Sequence, residues 1–150
     1  MMKVKLPWPP TVNTYYTVAR GRKILSKRGR EYKTETVKML TALKCMGEAG
    51  EFGDVLVRMT IEAFPPDKRR RDLDNILKAL KDAMTDANIY DDDNQVKELH
   101  LYMRENTKPG YVTIEISAIN DEELTNHYKL GEPKWCWHFR YWCARKRGKP

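Results

Sequence analysis

Apolar side chains recur at every second residue in several short stretches of the chain, which is the spacing of a β-strand with one buried face. The clearest alternation runs over residues 55–64, and the two prolines that follow it close the strand. Shorter alternations predict strands over residues 4–6, 95–103 and 111–118, the last two joined by a turn at residues 108–110.

Two other stretches repeat apolar residues at three and four positions, the spacing of a helix with one buried face. The first covers residues 31–46 and follows a polar, aromatic and basic segment in which residues 23–25 could form a short strand. The apolar stripe of the second consists of Leu73, Ile76, Leu77, Leu80, Met84 and Ala87. The order strand, helix, strand, helix, strand, strand predicts an α+β domain with two main helices on a mixed β-sheet.

The length and charge of the chain limit the class of protein to which this domain can belong. The chain has 150 residues, about one domain, and carries 28 lysines and arginines against 21 aspartates and glutamates. Its sequence pI of about 9.3 indicates attraction to polyanions at neutral pH. It has an odd number of cysteines, three, and shows neither a secretion signal nor an apolar run of membrane-spanning length. We therefore expect a cytoplasmic protein with free thiols.

The candidate chemistry lies at the two ends of the second helix. Before that helix, four cations lead directly into two aspartates one residue apart: Lys68, Arg69, Arg70, Arg71, Asp72 and Asp74. Beyond it comes a second acidic run, Asp91, Asp92 and Asp93. In extended backbone, side chains two residues apart share one face, so Asp72 and Asp74 could bind one ligand just before the helix begins.

A divalent cation held against a phosphate backbone would use both the acids and the cations of this region. Mg²⁺ prefers oxygen ligands and binds through few carboxylates together with substrate phosphate. Lys78 lies four residues after Asp74, so the two are neighbours on a helix surface, and its charge could stabilise a phosphate. Each cluster alone also has a structural interpretation, in which Asp72 caps the helix, Asp74 pairs with Lys78 and the second run is a solvated loop.

Three segments together resemble, in order and spacing, the RusA family of Holliday junction resolvases, which are found in bacteriophages and prophages. The first reads Leu-Pro-Trp-Pro-Pro at residues 6–10 and continues to Asn13, Tyr15 and Tyr16. The second is residues 66–75 with Lys78, and the third is Asp-Asp-Asn-Gln-Val at residues 92–96. The resemblance covers roughly residues 3–118, and the combination is more specific than any one segment.

The resemblance implies a role for each matching residue. Asp72, Asp74 and Asp93 fall on the catalytic carboxylates, which we expect to bind Mg²⁺, and Lys78 falls on the essential lysine. Arg71 falls on the motif arginine, Asp92 falls on an acidic position of the family, and Asp91 is an extra acid. We expect DNA contacts from two groups of cations: Lys68, Arg69, Arg70 and Arg71, and, in the basic segment, Arg20, Arg22 and Lys23.

Residues 121–150 depart from the resemblance, and we interpret them as an aromatic and basic extension of an endonuclease domain formed by residues 1–120. Its basic end could contact DNA, whereas its aromatic residues could pack on the domain or on a partner subunit. Cys136, His138 and Cys143 lack the paired close spacing of zinc motifs, so no zinc site is expected there.

The resemblance implies a magnesium-dependent endonuclease that resolves four-way DNA junctions as a homodimer, with one site for each of two symmetric nicks. We expect it to act in recombination and repair, in the cytoplasm of a bacterial host and encoded by a phage or prophage. Two alternatives stay open. A magnesium nuclease on forks, flaps or RNA would use the same carboxylates, and a non-catalytic phage DNA-binding module would not need them.

Overall fold

The structure is a computed structural model and describes residues 1–120. Its strands and helices follow the chain in this order: β1 (Met2–Pro7), α1 (Val12–Tyr15), β2 (Tyr16–Ala19), β3 (Arg22–Leu25), α2 (Lys27–Cys45), β4 (Val57–Phe64), α3 (Leu77–Asp86), β5 (Val96–Met103) and β6 (Tyr111–Ala118). Two short 3-10 turns, Leu73–Ile76 and Asp93–Gln95, precede and follow α3.

Four of the strands form one sheet in the order β1-β6-β4-β5, and β2 pairs with β3 in a separate hairpin. β6 runs antiparallel to both β1 and β4, whereas β4 and β5 are parallel. Parallel neighbours need a crossover connection, and here α3 lies within it. The predicted α+β fold with a mixed sheet and two main helices is therefore confirmed.

The core lies between the sheet and the two long helices. In β4 every second side chain is completely buried, which gives a row of Val57, Met59, Ile61 and Ala63. The stripe predicted for α3 meets this core, since Ile76, Leu80 and Met84 are also buried. Burial of one such large apolar side chain stabilises the folded state by about 1.5–3 kcal/mol. Ile76 and Met84 are buried near the two ends of α3, so both ends of the helix are held against the core.

The basic segment before α2 is more ordered than its sequence pattern predicts. β3 matches the short strand suggested for residues 23–25, whereas α1 and β2 were not predicted. The turn of the hairpin β2–β3 places Arg20 and Gly21 at positive φ (50° and 71°), the backbone of a two-residue hairpin turn. Most of the hairpin is exposed on both faces, so it shows no apolar alternation. α2 also begins at Lys27 rather than at residue 31, because the Ser26 side chain caps it by accepting a hydrogen bond from the Gly29 N–H (2.9 Å).

Among residues 1–120, no helix is long and apolar enough to cross a membrane. Met1–Ala118 form one compact unit. The extension predicted for residues 121–150, with its basic end and its cysteines and histidine, lies outside the described residues. The domain boundary therefore stays a prediction.

Candidate active site

The cationic loop before α3 is organised by an ion pair between Asp67 and Arg71. The Asp67 carboxylate accepts a hydrogen bond from the Arg69 N–H (2.9 Å) and lies 2.7 Å from Nη2 of Arg71. These two contacts lower the pKa of Asp67. Arg71 also donates to the carbonyl oxygens of Asp67 and Arg69, both at 3.1 Å, and its guanidinium lies 5.6 Å from the centre of the Trp8 ring.

Arg71 therefore holds the loop in shape, and its side chain is only 14% exposed. The other three cations of the run face solvent: Lys68, Arg69 and Arg70. Of the four predicted DNA contacts in this loop, these three are the ones that a phosphate backbone could reach without breaking the Asp67–Arg71 ion pair, although Arg69 Nε also lies 3.9 Å from Asp67.

Asp72 and Asp74 both present exposed carboxylates where α3 is about to begin. Asp72 has extended backbone (φ −85°, ψ 129°) and occupies the N-cap position of the turn Leu73–Ile76. Asp74 lies within that turn, so the extended backbone predicted to put both side chains on one face ends at Asp72. The Asp72 carboxylate nevertheless makes no capping hydrogen bond, and among residues 1–120 it accepts only from Nδ2 of Asn75, at 3.3 Å. The Asp74 carboxylate makes no hydrogen bond or ion pair with any described residue. Capping does not account for either carboxylate, so both are available to a ligand.

Lys78 contacts one acid within α3 and one acid that follows it. Its Nζ is 2.8 Å from Oδ1 of Asp82, one turn further along the helix, and 3.7 Å from Oδ2 of Asp93. Lys81 Nζ lies 3.6 Å from the same Asp93 oxygen. The hydrogen bond to Asp82, and then the charges of Asp82 and Asp93, raise the pKa of Lys78, so it is a cation at neutral pH. Lys78 therefore pairs with Asp82 and Asp93, and not with Asp74 as the structural interpretation of the sequence had it.

Asp82 and Tyr16 belong to this cluster, although neither was predicted from the sequence to have a role in it. The Tyr16 hydroxyl donates to Oδ2 of Asp82 at 3.4 Å. Burial, and then the charge of Asp82, raise the pKa values of Tyr16 and of its neighbour Tyr15, so both hydroxyls keep their protons. The sequence signal for Asp82 was its spacing of four residues from Lys78, but this spacing is common among surface ion pairs.

The three aspartates of the second acidic run, Asp91, Asp92 and Asp93, have different surroundings. Asp92 begins the turn Asp93–Gln95: its carboxylate accepts from the Asn94 N–H (2.8 Å), while its own N–H donates to the Gln95 side chain (2.7 Å). Asp91 is exposed, and its N–H donates to the Gly53 carbonyl (3.1 Å). Asp93 faces Lys78 and Lys81, so it is the acid of this run that meets the predicted site.

Gln95 fixes this turn to the loop before β4. Its side chain is almost fully buried, with 5% exposed, and its Nε2 donates to the carbonyl oxygens of Gly53 (2.7 Å) and Val55 (2.8 Å). The buried Tyr90 hydroxyl donates to the Lys81 carbonyl (3.3 Å) and ties the same region to α3. Asp93 is therefore carried on a turn that is held from two sides.

The hairpin β2–β3 carries the second group of predicted DNA contacts. Arg20, Arg22 and Lys23 are all exposed on it. Lys23 Nζ lies 4.2 Å from the centre of the Tyr16 ring, a cation–π contact. Since Tyr16 also bonds to Asp82, the base of the hairpin lies beside the Lys78 cluster.

The carboxylates have the chemistry of a magnesium site without forming a complete one. Among residues 1–120, no three acidic, histidine or cysteine side chains lie close enough together to hold a metal ion. Magnesium is usually held by one or two protein carboxylates together with waters and substrate phosphate, rather than by a cage of protein ligands. The exposed pair Asp72 and Asp74 provides such oxygens, so the residues fit a cation whose ligand set the substrate completes.

The chain is similar to several proteins of known name. The family model described as "Endodeoxyribonuclease RusA" matches residues 7–117. "Crossover junction endodeoxyribonuclease RusA" from Shigella sonnei (strain Ss046) is 37% identical over 120 residues, which cover 79% of this chain and 96% of that protein. The protein of the same name from Escherichia coli (strain K12) gives the same values, and that from Enterobacteria phage 82 is 36% identical over the same shares. The resemblance drawn from three short segments is thus confirmed, and the chain belongs to the RusA family of endodeoxyribonucleases.

Proposed function

We propose that this chain is a crossover junction endodeoxyribonuclease that resolves Holliday junctions by hydrolysing phosphodiester bonds with the help of Mg²⁺. The observation that carries the proposal is the pair of exposed carboxylates, Asp72 and Asp74, which make no capping hydrogen bond just before the helix that bears Lys78. These residues belong to a chain whose relatives are named for cutting crossover junctions.

In this proposal Asp72 and Asp74 would bind the magnesium ion with an oxygen of the scissile phosphate, and Asp93, which forms no three-ligand cluster with them among residues 1–120, would join them when DNA binds. A divalent cation bound there would supply Lewis-acid stabilisation of the negative charge that develops on the phosphodiester. The protein residues bind and orient the DNA. Lys78 places a positive charge next to Asp93, where it can neutralise a phosphate oxygen.

The exposed cations would bring the DNA backbone to these carboxylates. Lys68, Arg69 and Arg70 lie in the loop that leads into Asp72, and Arg20, Arg22 and Lys23 extend from the hairpin. Phosphate contacts of this kind position DNA without reading its bases. Selection of a junction over linear duplex would therefore rest on the shape of the branched DNA.

Resolution of a junction needs two cuts at related positions, and one subunit carries one set of carboxylates. We therefore propose a homodimer with twofold symmetry, in which each subunit makes one nick. Hydrolysis that leaves a 5′-phosphate and a 3′-hydroxyl at each nick gives ends that a ligase can seal. The expected setting is the cytoplasm of a bacterial host.

Parallel cleavage of a labelled synthetic four-way junction, a replication fork and a linear duplex tests this function. We expect paired, symmetric cuts in the junction in the presence of Mg²⁺, little cutting of linear duplex, and none after chelation by EDTA. Faster cleavage of forks or flaps would favour a more general nuclease. Tight junction binding with no cleavage at any Mg²⁺ or Mn²⁺ concentration would contradict the enzymatic proposal and favour a DNA-binding module.

A further inference from the structure

We propose that Asp82 is a positioning residue that fixes the Lys78 ammonium group at the reacting phosphate and keeps it from closing onto Asp93. This inference rests on the proposed function, because it assumes that Lys78 acts on the scissile phosphate. It adds a residue to the site to which neither the motifs nor the comparisons give a role.

Distances show that Asp82 is the nearer of the two acids that hold Lys78. The Lys78 Nζ is 2.8 Å from Asp82 and 3.7 Å from Asp93, so the first contact is a charge-assisted hydrogen bond and the second is a looser ion pair. The Asp82 side chain is 22% exposed, against 47% for Lys78. The acid is therefore the more enclosed and more fixed partner.

Asp82 is held by a second element as well. Its other carboxylate oxygen accepts from the Tyr16 hydroxyl, which comes from β2, while the side chain itself stems from α3. The Nζ atom of Lys23, a residue of β3, lies 4.2 Å from the centre of the Tyr16 ring. Asp82 thus connects the helix that bears Lys78 with the hairpin that we expect to contact DNA.

A lysine needs such a partner because its ammonium group sits on a long flexible stem that can take many positions. Without Asp82, the nearest acid to Lys78 among the described residues would be Asp93, a proposed metal ligand. Lys81 Nζ already lies 3.6 Å from Oδ2 of Asp93, so a tight Lys78–Asp93 pair would add a second, closer cation to a carboxylate oxygen that the metal ion needs. Asp82 therefore has two expected effects: it orients the lysine and leaves Asp93 available.

The test measures single-turnover junction cleavage at saturating protein, together with junction affinity, for Asp82→Asn, Lys78→Met and the double variant. We expect Asp82→Asn to slow cleavage roughly 10- to 100-fold and to leave junction affinity almost unchanged, because the amide can still accept from Lys78 but lacks the charge that makes the hydrogen bond strong. The double variant should be no slower than Lys78→Met, because two residues that act as one unit show non-additive effects.

Asp86→Asn is the matched control, since Asp86 also lies on α3 and pairs with a lysine, Lys33, at 2.6 Å. It should cut at the parental rate. Tyr16→Phe removes only the hydroxyl bonded to Asp82 and should slow cleavage by a smaller factor that vanishes in the Lys78→Met background. This variant also keeps the test valid if Asp82→Asn is less stable than the parent in a thermal melt.

The outcomes separate this inference from the proposed function. If Lys78→Met cuts at the parental rate, the proposed role of Lys78 fails. If Lys78→Met is slow while Asp82→Asn and Tyr16→Phe are not, the positioning role of Asp82 is wrong although the site stands. If the rate reductions multiply in the double variant, Asp82 and Lys78 act independently. If Asp82→Asn requires much more Mg²⁺ than the parent, Asp82 is itself a metal ligand. Either result would overturn the inference.

Discussion

Gln95 shows how a single buried side chain can hold a reactive neighbour in place without touching substrate. It donates to the carbonyl oxygens of Gly53 and Val55 and accepts from the Asp92 N–H, so all of its contacts are internal. The turn that it anchors carries Asp93 two residues earlier. The glutamine of the Asp-Asp-Asn-Gln-Val segment therefore has a structural explanation that its sequence position did not reveal.

Replacement of Gln95 by alanine should destabilise the protein by roughly 1–3 kcal/mol, because the hydrogen bonds of a buried polar side chain are lost. The Val55 carbonyl loses its donor, whereas the Gly53 carbonyl keeps the Asp91 N–H. Chemical denaturation in urea measures this change in the free energy of unfolding. Asn94→Ala, at the exposed neighbouring position, is the control and should be nearly neutral. Equal stability of the two variants would mean that water replaces the glutamine without cost.

At the residue scale, the sequence predicted the exposed carboxylates and missed the residues that surround them. Asp72 and Asp74 stood out because they are one residue apart after a run of cations. The contact between Tyr16 and Asp82 joins residues 66 positions apart in the chain, so no local pattern could indicate it. Arg71 looked like the three cations before it, and its ion pair with Asp67 became visible only in the folded loop.

At the scale of elements, α1 and α2 approach each other closely at Gly29. A Cβ atom added there would lie 2.4 Å from the Tyr15 carbonyl oxygen, which is backbone and already accepts from the Ser26 N–H at 2.9 Å. Glycine is therefore needed for close packing, in a helix where alanine would otherwise be preferred. The close approach also sets the place of Tyr15 and Tyr16 beside Asp82.

Gly29→Ala should lower the free energy of unfolding by about 1–3 kcal/mol, the range for an overpacked site, despite the better helix propensity of alanine. Gly50→Ala is the matched control, because a Cβ atom at residue 50 meets nothing within 4 Å. Urea denaturation of both variants measures the difference. A Gly29→Ala protein as stable as the parent would show that α1 can move away without cost.

The hairpin β2–β3 makes a separate prediction about DNA binding. Arg20→Gln combined with Arg22→Gln should weaken binding of junction and linear duplex alike, and the slope of log affinity against log salt should fall by about 0.9 for each phosphate that the variant no longer neutralises. Cleavage at saturating protein should persist, since the carboxylates are untouched. Lys38→Gln removes an exposed cation from α2 and controls for net charge. An unchanged salt slope in the double variant would exclude the hairpin as a DNA-binding element.

Elements with one buried face were predictable, whereas only β3 of the exposed hairpin was suggested by the sequence. The strand β4 and the helix α3 could be located because their apolar residues follow the period of the structure and point into the core. The hairpin is mostly exposed, so its sequence carries no such period. The 3-10 turn Leu73–Ile76 was predicted as part of the helix, because the apolar stripe continues through it.

At the scale of the whole molecule, the central expectation is two sites acting together. Heterodimers that pair one parental subunit with one Asp74→Asn subunit should nick a single strand of a cruciform plasmid and leave open circles rather than linear product. The reason is that each subunit contributes one set of carboxylates to one cut. Paired cutting by a protein that sediments as a monomer at the working concentration would remove the dimer from the proposal.

The most direct test of the proposed metal site is single-turnover cleavage of a synthetic four-way junction by Asp72→Asn, Asp74→Asn and Asp93→Asn in Mg²⁺, with junction affinity measured on the same samples. Asn keeps the size of Asp but removes the charge that a cation needs, so we expect all three variants to lose cleavage. They should bind the junction at least as tightly as the parent, because negative charge near phosphate has been removed. Asp86→Asn should cut normally as the control. Parental cleavage rates in the three variants would contradict a catalytic role for these carboxylates.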